Sequence, residues 1–179
     1  VGIPSAADIE VALHIAMLAH QGQVDKAGQP YIFHPIRVAG WLDDPRKKIV
    51  ALLHDVLEDS GFPEIEIRQQ FGDEIGDAVV ALTRKAGQTY DDFIEQCGAN
   101  DLARAVKWAD LRDNMDLSRL STVTQRDLDR TAKYRAAADR LNAIALAKGT
   151  EARRATTGTG VVHDGPVPAG HSPKGGSHV

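Results

Sequence analysis

The sequence predicts an all-α fold, a multi-helix bundle, and three observations predict it. Apolar residues recur at helical spacing as far as about residue 149, and no stretch alternates as a half-buried strand would. Aromatics are only 5% of a chain that is 42% hydrophobic, so the core must rest on Ala, Leu, Val and Ile. Ala and Leu lose little side-chain entropy in a helix. Proline and glycine punctuate the apolar stretches, where helices start and stop.

Ser5 or Asp8 caps a first helix whose stripe is Ile9, Ala12, Leu13, Ala16 and Met17. It runs out near Gly22, and QGQVDKAGQP is a polar loop closed by Gly28 and Pro30. Pro35 suits the first position of a second helix carrying Ile36, Val38, Ala39 and Leu42. Pro45 starts a third, running through Ile49, Val50, Leu52 and Leu53 to Val56. Gly61 and Pro63 end it and open a fourth with Ile65 and Ile67, before Phe71-Gly72. Asp73 to Leu82 and Asp91 to Gln96 read as a fifth and a sixth. Asn100 or Asp101 opens a seventh, and a last helix spans about Thr124 to Lys148 with Leu128, Ala132, Ala136, Leu141 and Ile144 on its buried side. Trp41 and Trp108 are expected to pack between helices.

Composition changes after Lys148. Residues 1–149 form the expected domain, and 150–179, rich in Gly, Pro, Ser and Thr without an apolar period, read as a disordered tail. At 179 residues there is room for one core. No apolar run approaches the roughly 20 residues that span a bilayer, and no export signal opens the chain, so the expectation is a cytoplasmic protein without a membrane partner. Cys97 is alone, which excludes an internal disulfide and a cysteine-rich zinc site. A net charge of −4 argues against a nucleic-acid partner bound through a broad cationic surface. It leaves room for a small anionic ligand.

Chemistry concentrates in ALLHDVLEDS. His54 and Asp55 follow the apolar Ala51-Leu52-Leu53, and Glu58-Asp59 come directly after. Unpaired charge on an apolar helix end is costly, but imidazole nitrogen and carboxylate oxygen make sense around a cation such as Zn, Mn or Fe. On one continuous helix His54 and Asp55 would point about 100° apart, so further ligands must come from elsewhere. His34, between Phe33 and Pro35, is one candidate; Asp110 in AVKWADLRDNMD is another. Lys107, Asp110 and Asn114 share a helix face and present a phosphate contact, a ligand and an amide. The structural alternative makes the histidines hydrogen-bonded core residues and the acids surface ion pairs.

Four blocks, AHQGQVDKAGQPYIFHPIRVA, ALLHDVLED, FGDEIGDAVVALTRK and VKWADLRDNMDLSRL, carry a resemblance to the HD-superfamily hydrolase domain of RelA/SpoT-type enzymes, most closely to the stand-alone small alarmone hydrolases. It spans about Ala6 to Leu146. The resemblance implies a single Mn²⁺ held by His34, His54, Asp55 and Asp110, with Glu58 and Asp59 acting on the water and the departing group. It implies removal of pyrophosphate from the ribose 3′ position of a small-molecule nucleotide, (p)ppGpp or (p)ppApp. It places Lys26, Tyr31, Asn114 and Tyr134 against the nucleotide. With only the expected tail after residue 149 and no synthetase segment, the expectation is an enzyme that destroys an alarmone and does not make it; the oligomeric state stays open, a homo-oligomer included.

The chain departs from the family at Asp25, where the bifunctional enzymes carry an arginine that stacks on guanine, at Asp113, where they carry histidine, and at Leu117, where they carry threonine. A carboxylate cannot cover a purine face as a guanidinium does. Asp25 either accepts a hydrogen bond from adenine's amine or turns to solvent. Other readings are an HD phosphohydrolase of another nucleotide, for example a 3′-phosphatase of NADPH, or a metal-binding regulatory domain without turnover.

Overall fold

Side-chain caps set the starts of four helices in this chain. The computed structural model describes residue 2 and residues 4–157, with side chains described as far as Thr150. Nine α-helices form the regular structure of those residues: α1 Ala6–Ala19, α2 Phe33–Gly40, α3 Pro45–Leu53, α4 Val56–Asp59, α5 Glu64–Phe71, α6 Asp73–Leu82, α7 Tyr90–Ala99, α8 Asp101–Asn114 and α9 Gln125–Thr157. Leu117–Arg119 add one 3-10 turn. Among the described residues the only β-type pairing is an isolated bridge between Val24 and Pro30. The all-α expectation therefore holds.

Ser5 and Asp8 form a reciprocal capping box on α1. Asp44 caps α3 with Pro45 at its first position, and Thr89 and Asn100 cap α7 and α8. Gly72, at φ 85°, turns α5 directly into α6 in a conformation that favours glycine. The core is aliphatic, as composition requires. Ile49, Val50, Ala51, Leu52 and Leu53 of α3 are all buried, and α3 packs against α1, α2 and α8. Helix α8 also meets α6, α7 and α9, so the two helices that carry the site run through the middle of the bundle. No described helix is long and apolar enough to cross a membrane.

Several boundaries differ from the sequence reading. The expected third helix breaks at His54-Asp55, leaving Val56 in α4. Helix α2 begins at Phe33, so Pro35 lies within its first turn and Leu42 lies beyond its end. Helix α7 runs from Tyr90 to Ala99 because Thr89, not Asn or Asp, caps it. The buried stripe of α9 is Ala137, Ala138 and Leu141 with Tyr134 beside it; Leu128 is 49% exposed, and Ala132 and Ala136 also face out. Alanine fits either side of a helix, so it could not fix the face. Met17, Ile36 and Ile65 also point outward. Trp41 and Trp108 are exposed, not interior: the Arg112 guanidinium lies over both rings, 3.8 Å and 5.7 Å from their centroids. The boundary at 149 falls inside α9, which continues to Thr157; the rest of the expected tail, 158–179, lies outside the described residues.

Candidate metal centre

Loops and helix ends converge between α2, α3 and α8. His34 Nε2, His54 Nε2 and a carboxylate oxygen of Asp110 lie within 4.8 Å of one another, and all three residues are buried. His34 Nε2 is 3.2 Å from Asp110 Oδ1 and 3.9 Å from Asp55 Oδ2. His54 Nε2 is 3.0 Å from Asp55 Oδ2 and 3.8 Å from Asp110 Oδ1. The structure thus brings together all four residues singled out as ligands.

The outer nitrogens of the two imidazoles are fixed. His54 Nδ1 donates to the Ala51 carbonyl at 2.7 Å. His34 Nδ1 donates to Asp113 Oδ2 at 2.8 Å. In the neutral tautomer that leaves each Nε2 as a lone pair facing the cluster. His54 Nε2 is buried without a hydrogen-bond partner: Asp55 is near, but not aligned to bond it. An orphaned buried nitrogen facing two carboxylates is what a divalent cation would satisfy, and an N,O donor set suits Mn²⁺, Fe²⁺ or Zn²⁺. The residues fit such a metal.

Electrostatics agree. Burial opposes ionisation of Asp110, yet the Lys107 ammonium and the two imidazoles hold its carboxyl well below the usual range. Lys107 Nζ sits 2.9 Å from Asp110 Oδ2, so this lysine is spent on that carboxylate rather than free for a phosphate. Asp55 is likewise lowered, against burial, by His54 and by the Tyr31 hydroxyl, which donates to its Oδ2 at 2.5 Å. Burial disfavours protonated His34, but hydrogen bonds to Asp110 and Asp113 raise it to about 9. Burial and the neighbouring Asp55 push Asp59 up.

A cavity of about 380 Å³ opens beside His34. Lys26, Tyr31, Asn114 and Tyr134, the residues set against a nucleotide by resemblance, all line it, and so does Asp25, where the chain departs from the family. Asn114 Nδ2 also donates to Asp110 Oδ1 at 2.5 Å, tying the cavity wall to the cluster. Asp25 is engaged within its own loop. Its Oδ1 accepts the amides of Ala27 and Gln29, both at 2.9 Å, and so shapes the chain before Pro30. Glu58 and Asp59 stand on the short α4, outside the cavity wall. Glu58 Oε2 accepts the Arg84 amide at 3.1 Å. His20 is buried on Gln23 and packs on the Tyr31 ring; His14 is exposed. Cys97 is buried, and burial pushes its thiol to about 12, which rules out a reactive thiolate.

Sequence reasoning missed Asp113 as a working residue, registering it only as a departure. It is 5% exposed and gathers His34, Arg37 and Arg119. The available signal was its position three residues after Asp110, on the same face of the helix.

Residues 12–156 match the family profile described as HD domain. The chain is 32% identical over 120 residues to a probable GTP pyrophosphokinase of Mycobacterium leprae, covering 60% of this chain and 15% of that one. It is 42% identical over 77 residues to a guanosine-3′,5′-bis(diphosphate) 3′-pyrophosphohydrolase of Borreliella burgdorferi, covering 41% of this chain and 12% of the relative. The chain thus spans 15% or less of the length of these curated relatives. A solved structure, that of a metazoan ortholog of SpoT that hydrolyzes ppGpp and plays a role in starvation responses, superposes with a TM-score of 0.64 at 25% identity, covering 79% of this chain and 88% of the other.

Proposed function

The chain belongs to the HD-domain family, and from that premise we propose that it is a metal-dependent hydrolase removing the 3′-pyrophosphate of purine alarmone nucleotides, (p)ppGpp or (p)ppApp, with release of the 5′-nucleotide. One observation carries the reading. The His34–His54–Asp110 cluster meets a cavity of about 380 Å³, within the size range of small-ligand sites. The activities of the Borreliella relative and of the metazoan protein support the substrate class.

His34, His54, Asp55 and Asp110 would hold the ion, proposed as Mn²⁺. Bound there, it supplies Lewis acidity that offsets phosphate charge and acidifies water. The remaining work belongs to side chains. Glu58, fixed at one oxygen by the Arg84 amide, keeps the other free to orient the attacking water and take its proton. Asp59, raised by burial and Asp55, suits holding a proton near the departing group. Lys26 meets phosphate charge at the cavity rim, Asn114 offers an amide edge, and Tyr134 offers a ring face for the nucleoside. Asp25, with one oxygen committed to its own loop, acts on base choice chiefly through loop shape.

The test is a release assay with Mn²⁺ over ppGpp, pppGpp, ppApp and NADPH. Pyrophosphate from the alarmone nucleotides is the expected product. Orthophosphate from NADPH alone, or no turnover of any of the four, would overturn the reading. Equal rates on ppGpp and ppApp would show that Asp25 imposes no base preference.

A further inference from the structure

We propose that Asp113 is a positioning residue for the metal centre: it orients the His34 ring, and Arg37 and Arg119 hold its carboxylate in place for that role. The inference rests on the metal-centre reading above. Its basis is geometric. Asp113 Oδ2 accepts from His34 Nδ1 at 2.8 Å. Arg37 forks onto the same carboxylate, Nε to Oδ1 at 2.8 Å and Nη2 to Oδ2 at 3.1 Å. Arg119 approaches from the 3-10 turn, with Nη1 3.2 Å from Oδ2 and Nη2 2.7 Å from the Asp113 carbonyl.

A carboxylate can only accept hydrogen bonds, so His34 must carry a hydrogen on Nδ1, and its Nε2 is the nitrogen presented to Asp55 and Asp110. Two guanidiniums around one carboxylate leave it little freedom to rotate away, and they offset the cost of burying its charge. The His34 ring is therefore pinned from three elements: α2, which carries His34 and Arg37; α8, which ends just after Asp113; and the turn carrying Arg119. A carboxylate behind a ligating imidazole typically strengthens metal binding by about 10–100-fold. An apolar residue here would leave the ring free and two cations without their shared partner.

Metal-stripped wild type, Asp113→Ala, Asp113→Asn and Arg119→Ala would be titrated with Mn²⁺ by calorimetry. The visible spectra of their Co²⁺ forms would be compared with that of His34→Ala. Asp113→Ala is expected to lose about 10–100-fold in affinity, with a Co²⁺ spectrum shifted toward that of His34→Ala. Asp113→Asn, which keeps an acceptor but no charge, falls between it and wild type. Arg119→Ala, which leaves the Arg37 fork on the Asp113 carboxylate, is expected to lose only a few-fold in affinity, less than Asp113→Asn.

A merely structural carboxylate predicts otherwise: affinity would track thermal stability across all three variants, and the bound fraction would keep the wild-type spectrum. That result overturns the inference while leaving the metal centre standing, as would Asp113→Ala binding Mn²⁺ like wild type. Failure of wild type to bind Mn²⁺ or Co²⁺ overturns the metal reading, and this inference with it.

Discussion

Asp110→Asn separates the site from the scaffold that holds it. Asp110 and Lys107 have side chains 5% and 14% exposed and stand 2.9 Å apart. Replacing the carboxylate by an amide removes a proposed ligand and strands the lysine cation in the core between Asp110 and the Phe93 ring, 4.9 Å from the ammonium. Breaking one partner out of a buried pair costs about 3–5 kcal/mol, a large share of the roughly 5–15 kcal/mol that holds a domain together. Metal-stripped Asp110→Asn should therefore lose about 3–5 kcal/mol in urea unfolding at pH 7. Adding Lys107→Met should return most of it, because the stranded charge is gone, while Mn²⁺ binding stays absent. Asp110 is an acid whose folded pKa is depressed. Its stabilisation is present above the unfolded value of 3.8 and is lost as pH falls toward the folded one, so the gap between wild type and variant should close in acid. A loss below about 1 kcal/mol at pH 7, less than the low end expected for a buried pair, would refute the argument. So would a double variant no more stable than the single, since the lysine would then not be the source of the cost.

Metal uptake should release a proton, because in the metal-free protein His34 is raised to about 9 and so is protonated at neutral pH. Apparent affinity should climb by up to about tenfold per pH unit and level off above pH 9; calorimetry in two buffers of different ionisation enthalpy reads the proton directly, and none released contradicts the expectation. The same raised pKa stabilises the metal-free fold fully below 6.5 and is lost as pH rises through about 9, so the metal-stripped protein should weaken at pH 10. Glu58→Ala should keep Mn²⁺ affinity while losing about 10²–10⁴-fold in turnover; a normal rate removes its assigned role. At Gly98 of α7 an added Cβ would meet Ile144 Cδ1, the far end of a flexible side chain of α9, so the helix-propensity gain of about 1 kcal/mol should offset the rearrangement and leave Gly98→Ala close to wild type in stability; a loss of about 3 kcal/mol would mean that Ile144 cannot turn aside.

How far the sequence could be read depended on what each residue advertises. Caps and prolines marked helix starts well, because Ser5, Asp44 and Asn100 satisfy amides that only short polar side chains reach. The face of α9 was legible only in part: Leu141 is buried and Ile144 lies against Gly98 as expected, but Leu128, Ala132 and Ala136 face out, because the other buried positions are alanines with exposed alanines beside them. Trp41 and Trp108 look like core by size, but Arg112 between them gives two large rings a partner at the surface. Among candidate site residues, His34, His54, Asp55 and Asp110 could be singled out from separate blocks because buried acids and imidazoles have no cheap structural use, and the fold brings them together. Asp113 was not legible in the same way: its worth lies in partners from α2 and the 3-10 turn, and no spacing rule links position 34 or 119 to it. Asp25 was read by its chemistry at a base, while the structure gives one of its oxygens to two amides of its own loop.

The break at His54-Asp55 resolves the difficulty that adjacency posed. On an unbroken helix the two side chains would diverge by about 100° and Ala51 O would be committed to the backbone amide four residues on. Ending α3 at Leu53 changes both. The last carbonyls of a helix lack intrahelical donors, so Ala51 O is free to take His54 Nδ1–H at 2.7 Å and fix the ring with Nε2 inward. The chain then turns before α4, and Asp55 swings its carboxylate to 3.0 Å from that same Nε2, where the Tyr31 hydroxyl anchors it. Termination of one helix thus furnishes the outer partner of one proposed ligand and the direction of the next. It also places α4 so that Glu58 meets the Arg84 amide beyond α6. A substitution that rejoined α3 and α4 through His54-Asp55 would therefore undo the cluster without altering a single proposed ligand.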